Sequence, residues 1–306
     1  MHSFTLAHTI SLAKLLGYGV CSLALSPNGQ LLAIGGQYGE VYICDIDALE
    51  RLIKLPYADE EYGGVNSVAF NARSSLLASV TNEGTLNVWD ILRQRPYALW
   101  QPMHQEYVGD SLLQAYHHVH SLLFHHDGSQ LFGGGDGGIY CWDVDTGLER
   151  NHLDAAQESI LSLALDHSGR WLTGAGWKNH IYLWDLITGA ADSSLSPATY
   201  RVDCVSFSPD GRILISGGSG EQGGIEEDRP SDSLHLWSVQ SLQPLRTLQT
   251  PSRWVSTMSW HPSRTILGSG RISNGKLRFS VRENQNGLHP SIEHSALPVF
   301  PDYIAR

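Results

Sequence analysis

Basic residues are scarce in this chain. Its 20 Lys and Arg face 31 Asp and Glu, a formal net charge of -11, and they never form a run. That balance argues against general, long-range attraction to nucleic acid or to an anionic membrane. Cysteine is sparse as well. Cys21, Cys44, Cys141 and Cys204 are far apart and form no CxxC pair, so they read as small core residues of a protein in a reducing, cytoplasmic compartment. No apolar stretch approaches membrane-spanning length. The mildly apolar N-terminus is interrupted by Lys14 with no basic residue ahead of it, a poor secretion signal. Only 17% of residues are charged, and one stretch alone, residues 105–116, has a helical pattern. No HExxH, Walker or GxSxG motif is present, so no catalytic residue is assigned.

What is abundant is glycine, 31 residues of it, and repetition. Three times the chain reads apolar–apolar–Trp–Asp, at Val88-Trp89-Asp90, Cys141-Trp142-Asp143 and Leu183-Trp184-Asp185. Each follows by about two dozen residues a block such as Val65-Asn66-Ser67-Val68-Ala69-Phe70. Six copies of that block begin at Val20, Val65, Val119, Ile160, Val202 and Val255. The clearest is Val202-Asp203-Cys204-Val205-Ser206-Phe207-Ser208-Pro209-Asp210-Gly211, alternation followed by turn chemistry, which signals a strand and a tight turn. A short apolar run, a second turn, the Trp-Asp strand and a variable fourth strand complete each copy. A repeat of this length decides the fold before any local reading does.

The pattern V-x-S-V-x-F-S-P-D-G…L-x-S-G…D-G-x-I-x-x-W-D resembles the WD40 repeat over residues 18–281. The resemblance implies an all-β fold, a closed β-propeller of four-stranded blades. Six blades follow from the copy number, with seven as the alternative. Residues 1–306 then form one propeller. Residues 1–17, through Thr9 to Leu16, supply the last strand of the last blade, and 282–306 form a C-terminal tail. The copies depart from the family pattern. The Trp position holds Cys44 in copy one and Phe279 in copy six. The turn aspartate survives as Asp136 but becomes Tyr38, Glu83 and Lys178 elsewhere, and no copy has the Gly-His pair. The family's His–Asp–hydroxyl–Trp tetrad cannot be completed in any blade, so apolar burial between neighbouring sheets must hold them.

Other motifs dissolve on inspection. Gly133-Gly134-Gly135-Asp136-Gly137-Gly138 satisfies GxGxxG, but a strand follows it instead of the helix a phosphate site requires. His117, His118, His120, His125 and His126 suggest a metal, yet the two groups sit at opposite ends of one strand and cannot share an ion. Asp143-Val144-Asp145 begins like a calcium loop but lacks its terminal glutamate. No cofactor and no metal site is assigned. Two insertions break the spacing: an aromatic one at 93–116, and a glycine-rich acidic one at 219–232.

The residues just ahead of each first strand line one face of such a ring, and the second hairpin turn points to the same face. Here these positions carry Tyr18, Tyr62, His118, Tyr200, Arg201, Trp254 and Trp177. Aromatic residues and Arg are the usual anchors of protein interfaces. These seven are the candidate partner-binding residues of a non-enzymatic scaffold for a protein or peptide, either alone or within a larger complex. A propeller enzyme, or a small-ligand or metal binder at the channel mouth, is the alternative; it needs ionisable groups converging there. Partners are expected to be protein, with neither nucleic acid nor membrane involved.

Overall fold

The computed structural model describes residues 19–49, 51–56, 63–98, 118–155, 158–197, 201–219, 232–249, 255, 257–260, 266–273, 276–283 and 292–298. The chain divides into two compact units, residues 1–136 with 140–152, and 137–139 with 153–306.

Six four-stranded sheets are present, each made from strands consecutive in sequence. The first unit carries β1 (Val20–Leu25), β2 (Leu31–Gly36), β3 (Val41–Asp45) and β4 (Ile53–Lys54), then β5 (Val65–Phe70), β6 (Leu76–Thr81), β7 (Leu86–Asp90) and β8 (Arg95–Ala98). The sheet of β9 (Val119–Phe124), β10 (Gln130–Gly135), β11 (Gly138–Asp143) and β12 (Glu149–Asp154) follows. The second unit holds β13 (Ile160–Leu165), β14 (Trp171–Gly176), β15 (Ile181–Asp185) and β16 (Ala190–Leu195). After it come β17 (Arg201–Phe207), β18 (Ile213–Ser219), β19 (Asp232–Ser238) and β20 (Pro244–Gln249), then β21 (Thr257–Trp260), β22 (Ile266–Ser273), β23 (Lys276–Glu283) and β24 (Ile292–Pro298). Among the described residues the only helix is one 3-10 turn, Ile46–Ala48. The helical pattern at 105–116 lies outside them, as do most of the 93–116 insertion and residues 220–231 of the acidic one.

The sixth sheet differs from the sequence reading. Its fourth strand is Ile292–Pro298, paired with β23, inside the stretch read as a tail. Residues 1–17, expected at that position, lie outside the described residues. An edge strand has one hydrogen-bonded neighbour, so it tolerates Pro298 and a weak alternation that a central strand would not.

The repeat tryptophans are core residues of adjoining sheets. Trp89, Trp142 and Trp184 are each no more than 2% exposed. Trp89 packs with Ala33, Val41, Ile43 and Leu55 of the preceding sheet, and its indole N–H donates to the Pro56 carbonyl at 3.0 Å. Trp142 packs on Ala78, Val80, Leu86 and Val88, and Trp237 on Ala175, Ile181 and Leu183. Only part of the family tetrad is seen: the Trp237 indole donates to Ser216 Oγ at 3.1 Å. The aspartates of the Trp-Asp pairs are buried and close the following turns. Asp90 accepts from Arg93 N and Arg93 Nη1, Asp143 from Thr146 N and Arg150, and Asp185 from Ile187 N and Arg170. All three carboxyls are held below the ordinary range. For Asp90 and Asp143 the turn N–H is the main cause, and for Asp185 it is the Arg170 side chain.

Cysteine burial corrects one expectation. Cys44, Cys141 and Cys204 are buried, but Cys21 is exposed. Leu23 and Leu25 of the same strand are also exposed, at 55% and 58%.

Candidate functional site

The antiparallel pairing of first and second strands brings two loops of every blade to one end. Ile160 pairs with Gly176 and Val65 with Thr81, so the residues ahead of the first strand meet the turn leaving the second. One backbone bond ties them in successive copies: Asn82 N to Gly64 O, Asp136 N to His118 O, and Trp177 N to Ser159 O, at 2.9–3.2 Å. At the end of β14 the residue is glycine because nothing larger fits. A Cβ on Gly176 would stand 1.7 Å from the Ser159 carbonyl oxygen.

The first strands of five of the six sheets, β1, β5, β9, β13 and β17, start with a β-bulge. Register shifts between Val20 and Ser22, Val65 and Ser67, Ile160 and Ser162, and Val202 and Cys204 leave Cys21, Asn66, Leu161 and Asp203 as the extra residues. His120 takes the same position opposite Gly134 and Gly135. A bulge bends its strand and re-aims the side chain it carries. The sequence signal was available, since the apolar positions are spaced by three and then two, as in Val65, Val68 and Phe70, where an unbroken strand would space them by two.

In the second unit, Trp177 and Arg201 come together. The Arg201 guanidinium lies 4.7 Å from the centroid of the Trp177 ring. It also pairs with the carboxylate of the bulge residue Asp203, whose side chain is buried. Trp177 remains 50% exposed. Its turn is clamped by Glu158, a buried carboxylate 2.8 Å from His180 Nδ1 and 3.6 Å from Lys178 Nζ. Lys178 stands where the family has an aspartate, so charge is exchanged between the two loops: the acid sits ahead of β13, and Lys178, with His180 beside it, in the turn. Burial, then the charge and hydrogen bond of Glu158, push the Tyr182 phenol up to about 12.

In the first unit, His118 Nδ1 lies 2.7 Å from the Asn82 carbonyl oxygen, and the rings of His118 and His120 stack with centroids 6.4 Å apart. His120 Nε2 is 3.8 Å from Asp136 Oδ1, and burial lowers its pKa against the pull of that carboxylate. Among the described residues no group of three or more His, Cys, Asp or Glu is placed to hold a metal ion. Beside these lies a recess of about 620 Å³ lined by Cys21, Gln37, Tyr38, Gly63, Gly64, Asn66 and Asn82. Of the seven expected binding residues, Tyr18, Tyr62, Tyr200 and Trp254 lie outside the described residues. His118 belongs to the first unit, and Trp177 and Arg201 to the second.

Comparison with known proteins gives a consistent picture. The profile of the WD40 family, described as WD domain, G-beta repeat, matches residues 10–45, 57–90, 110–143, 148–185, 186–222 and 242–279. Apoptotic protease-activating factor 1 of Rattus norvegicus is 24% identical over 82% of this chain and 19% of its own length. Cell division cycle 20.6 of Arabidopsis thaliana, a cofactor of the APC complex, is 25% identical over 75% of this chain and 50% of its own. The chain thus spans half the length of these relatives or less. A chain in the crystal structure of the mitotic checkpoint complex superposes with a TM-score of 0.73 at 19% identity, covering 90% of this chain and 77% of that one. That likeness shows the fold, a β-propeller of four-stranded blades. No helix among the described residues is long and apolar enough to cross a membrane.

Proposed function

We propose, on the premise that this chain belongs to the WD40 family of G-beta repeats, that it is a non-enzymatic scaffold. It holds a protein or peptide partner on the blade end where Trp177 and Arg201 sit. The observation that carries this reading is the Trp177–Arg201 pair, a half-exposed indole braced on one face by a guanidinium. Its backbone is tied to Ser159 and its turn clamped by Glu158, so little side-chain freedom remains to be lost on binding. The guanidinium occupies one ring face, and the other is left to an apolar or aromatic group of the partner. Tyr62, Tyr200 and Trp254 occupy corresponding positions in the sequence repeat, and by that register alone we count them as further candidate contacts. His118, in the first unit, holds the equivalent position of the third copy and is a candidate contact on the same ground.

The relatives support a protein partner, since they include a cofactor of one complex and a chain found in another. The rival reading, an enzyme or metal binder at the channel mouth, needs converging ionisable groups. The best-formed cluster, Glu158 with Lys178 and His180, is already occupied in holding the Trp177 turn. We place the protein in a reducing compartment, where its four unpaired thiols persist.

The test compares two folded variants in affinity capture from the source cells. Trp177→Ala with Arg201→Ala removes the platform, and interface anchors of this kind typically contribute about 2 kcal/mol or more, roughly 30-fold in affinity. That variant should lose the main partner, while Glu226→Gln with Glu227→Gln, in the acidic insertion, should retain it. The opposite pattern would move the binding site to the insertion.

A further inference from the structure

The joints between consecutive sheets inside each unit are not built alike. In three of them a serine just after the bulge residue reaches the next sheet. Ser22 Oγ accepts from Val68 N at 3.1 Å, Ser67 Oγ from Leu122 N at 3.0 Å, and Ser162 Oγ from Val205 N at 3.1 Å. The serine always lies two residues beyond Val20, Val65 or Ile160, which open their repeat blocks. The N–H always lies three beyond the corresponding residue of the next block, Val65, Val119 or Val202. Each first strand is the edge of its sheet, and Val68, Leu122 and Val205 are each only 6% exposed. A buried edge N–H needs an acceptor, and the hydroxyl supplies one while fixing the register of one sheet on the next.

The joint of β17 with β21 lacks this latch. Cys204 stands at the serine position, and its thiol donates instead to Gly217 O of its own sheet at 3.6 Å and to Val255 O at 3.4 Å. A thiol is a weak donor and a weak acceptor, so Met258, in the receiving position, faces no hydroxyl.

The same joint has a second, independent weakness. Trp260 packs on the cluster of Cys204, Ile215, Leu234 and Val255. Among the described residues its buried indole N–H has no hydrogen-bond partner. Phe70, Phe124 and Phe207 hold the same register position in other sheets and bring no donor. The indoles of Trp89 and Trp237, by contrast, donate to Pro56 O and Ser216 Oγ. A buried donor left without an acceptor weakens the contact that buries it.

We infer that the joint of β17 with β21 is a seam built into the fold: β21–β24 opens away from β17 as one cooperative unit, while the serine-latched joints stay closed. Trp177, in the turn after β14, and Arg201, at the start of β17, belong to two sheets locked together by Ser162. Their pairing therefore survives the opening. The inference does not depend on what that pair binds.

Native-state hydrogen exchange of the whole chain, read by peptide mass spectrometry, tests it. The central strands are compared, since edge strands exchange early in any sheet. Protection in β22 and β23 should be about tenfold or more below that in β14, β15, β18 and β19. Cys204→Ser supplies the hydroxyl and Cys204→Ala does not. Protection of β22 and β23 should be about tenfold higher in the first variant than in the second, the effect of roughly one hydrogen bond. Trp260→Phe removes the unpaired donor and should raise the same protection about tenfold over wild type. Ser162→Ala should create a second seam and lower protection in β18 and β19 about tenfold. Equal protection of the central strands in all three sheets of the second unit overturns the inference. So does a result in which neither Cys204→Ser, relative to Cys204→Ala, nor Trp260→Phe raises protection in β22 and β23.

Discussion

The packing of Trp142 over Gly133 makes a prediction whose size follows from the geometry. Trp142 is 1% exposed, stacks on Tyr140 with centroids 5.9 Å apart, and lies against apolar side chains of the preceding sheet. A Cβ on Gly133 would be 2.6 Å from its ring carbons Cη2 and Cζ3, so the indole occupies the space a side chain would need. Trp142→Ala should therefore cost about 3–5 kcal/mol. Gly133→Ala alone overpacks the site; the clash of about 1–3 kcal/mol is offset by about 0.5–1 kcal/mol of backbone entropy, leaving a net cost of about 1–2 kcal/mol. In the Trp142→Ala background the clash is gone and the added methyl fills part of the cavity, so the same change should gain about 1 kcal/mol. The double-mutant cycle then carries a coupling of about 2–3 kcal/mol. Urea unfolding followed by far-UV circular dichroism reads all four stabilities. Additivity within about 0.5 kcal/mol would refute the proposed close contact.

Three further outcomes can be checked on the same material. Trp177→Ala should cost less than about 1 kcal/mol, because its half-exposed ring contributes mainly a cation–π contact, so its unfolding midpoint should stay close to wild type. The carboxyls of Asp90, Asp143 and Asp185 are depressed in the fold, so their stabilisation is complete above the unfolded value of 3.8 and is lost as pH falls through the folded values. Asp185→Asn should accordingly flatten the acid limb of a stability–pH curve; an unchanged limb would argue against this role. Thiol titration of the folded protein should find Cys21 alone reactive, and slower than a free thiol because burial and then Glu40 raise its pKa, with the other three appearing on unfolding.

The sequence was most legible where one rule acts alone. Large residues at Trp89, Trp142 and Trp184 recur in register, and burial follows from that register. Legibility fell where two rules compete. Cys21 shares its register with Asn66 and His120, but repeat position was read as burial, whereas the bulge turns this residue toward the loop end. The bulge itself was visible in the three-residue spacing from Val65 to Val68 and was absorbed into an alternating pattern. The Glu158 clamp is hidden because its acid and its base lie on different loops of the repeat. Lys178 counts as a lost aspartate until it is paired with an acid on the other loop. Strand β24 falls within the stretch given as a tail, because an edge strand ending at Pro298 carries little more periodicity than a tail.

The sheet of β13–β16 exposes an apolar side chain at each end: Trp177 in the turn after β14, and Ile187, 77% exposed, in the turn after β15. Deciding which end holds the partner tests the central claim most directly. A photo-crosslinking residue, p-benzoylphenylalanine, is placed either at Asn179, in the Trp177 turn, or at Ile187, in the turn after β15, and irradiated in cells. We predict a covalent adduct with the partner from position 179, lost when Trp177→Ala is added, and none from position 187. An adduct from position 187 with none from 179 would contradict the assignment of the Trp177 end as the binding face.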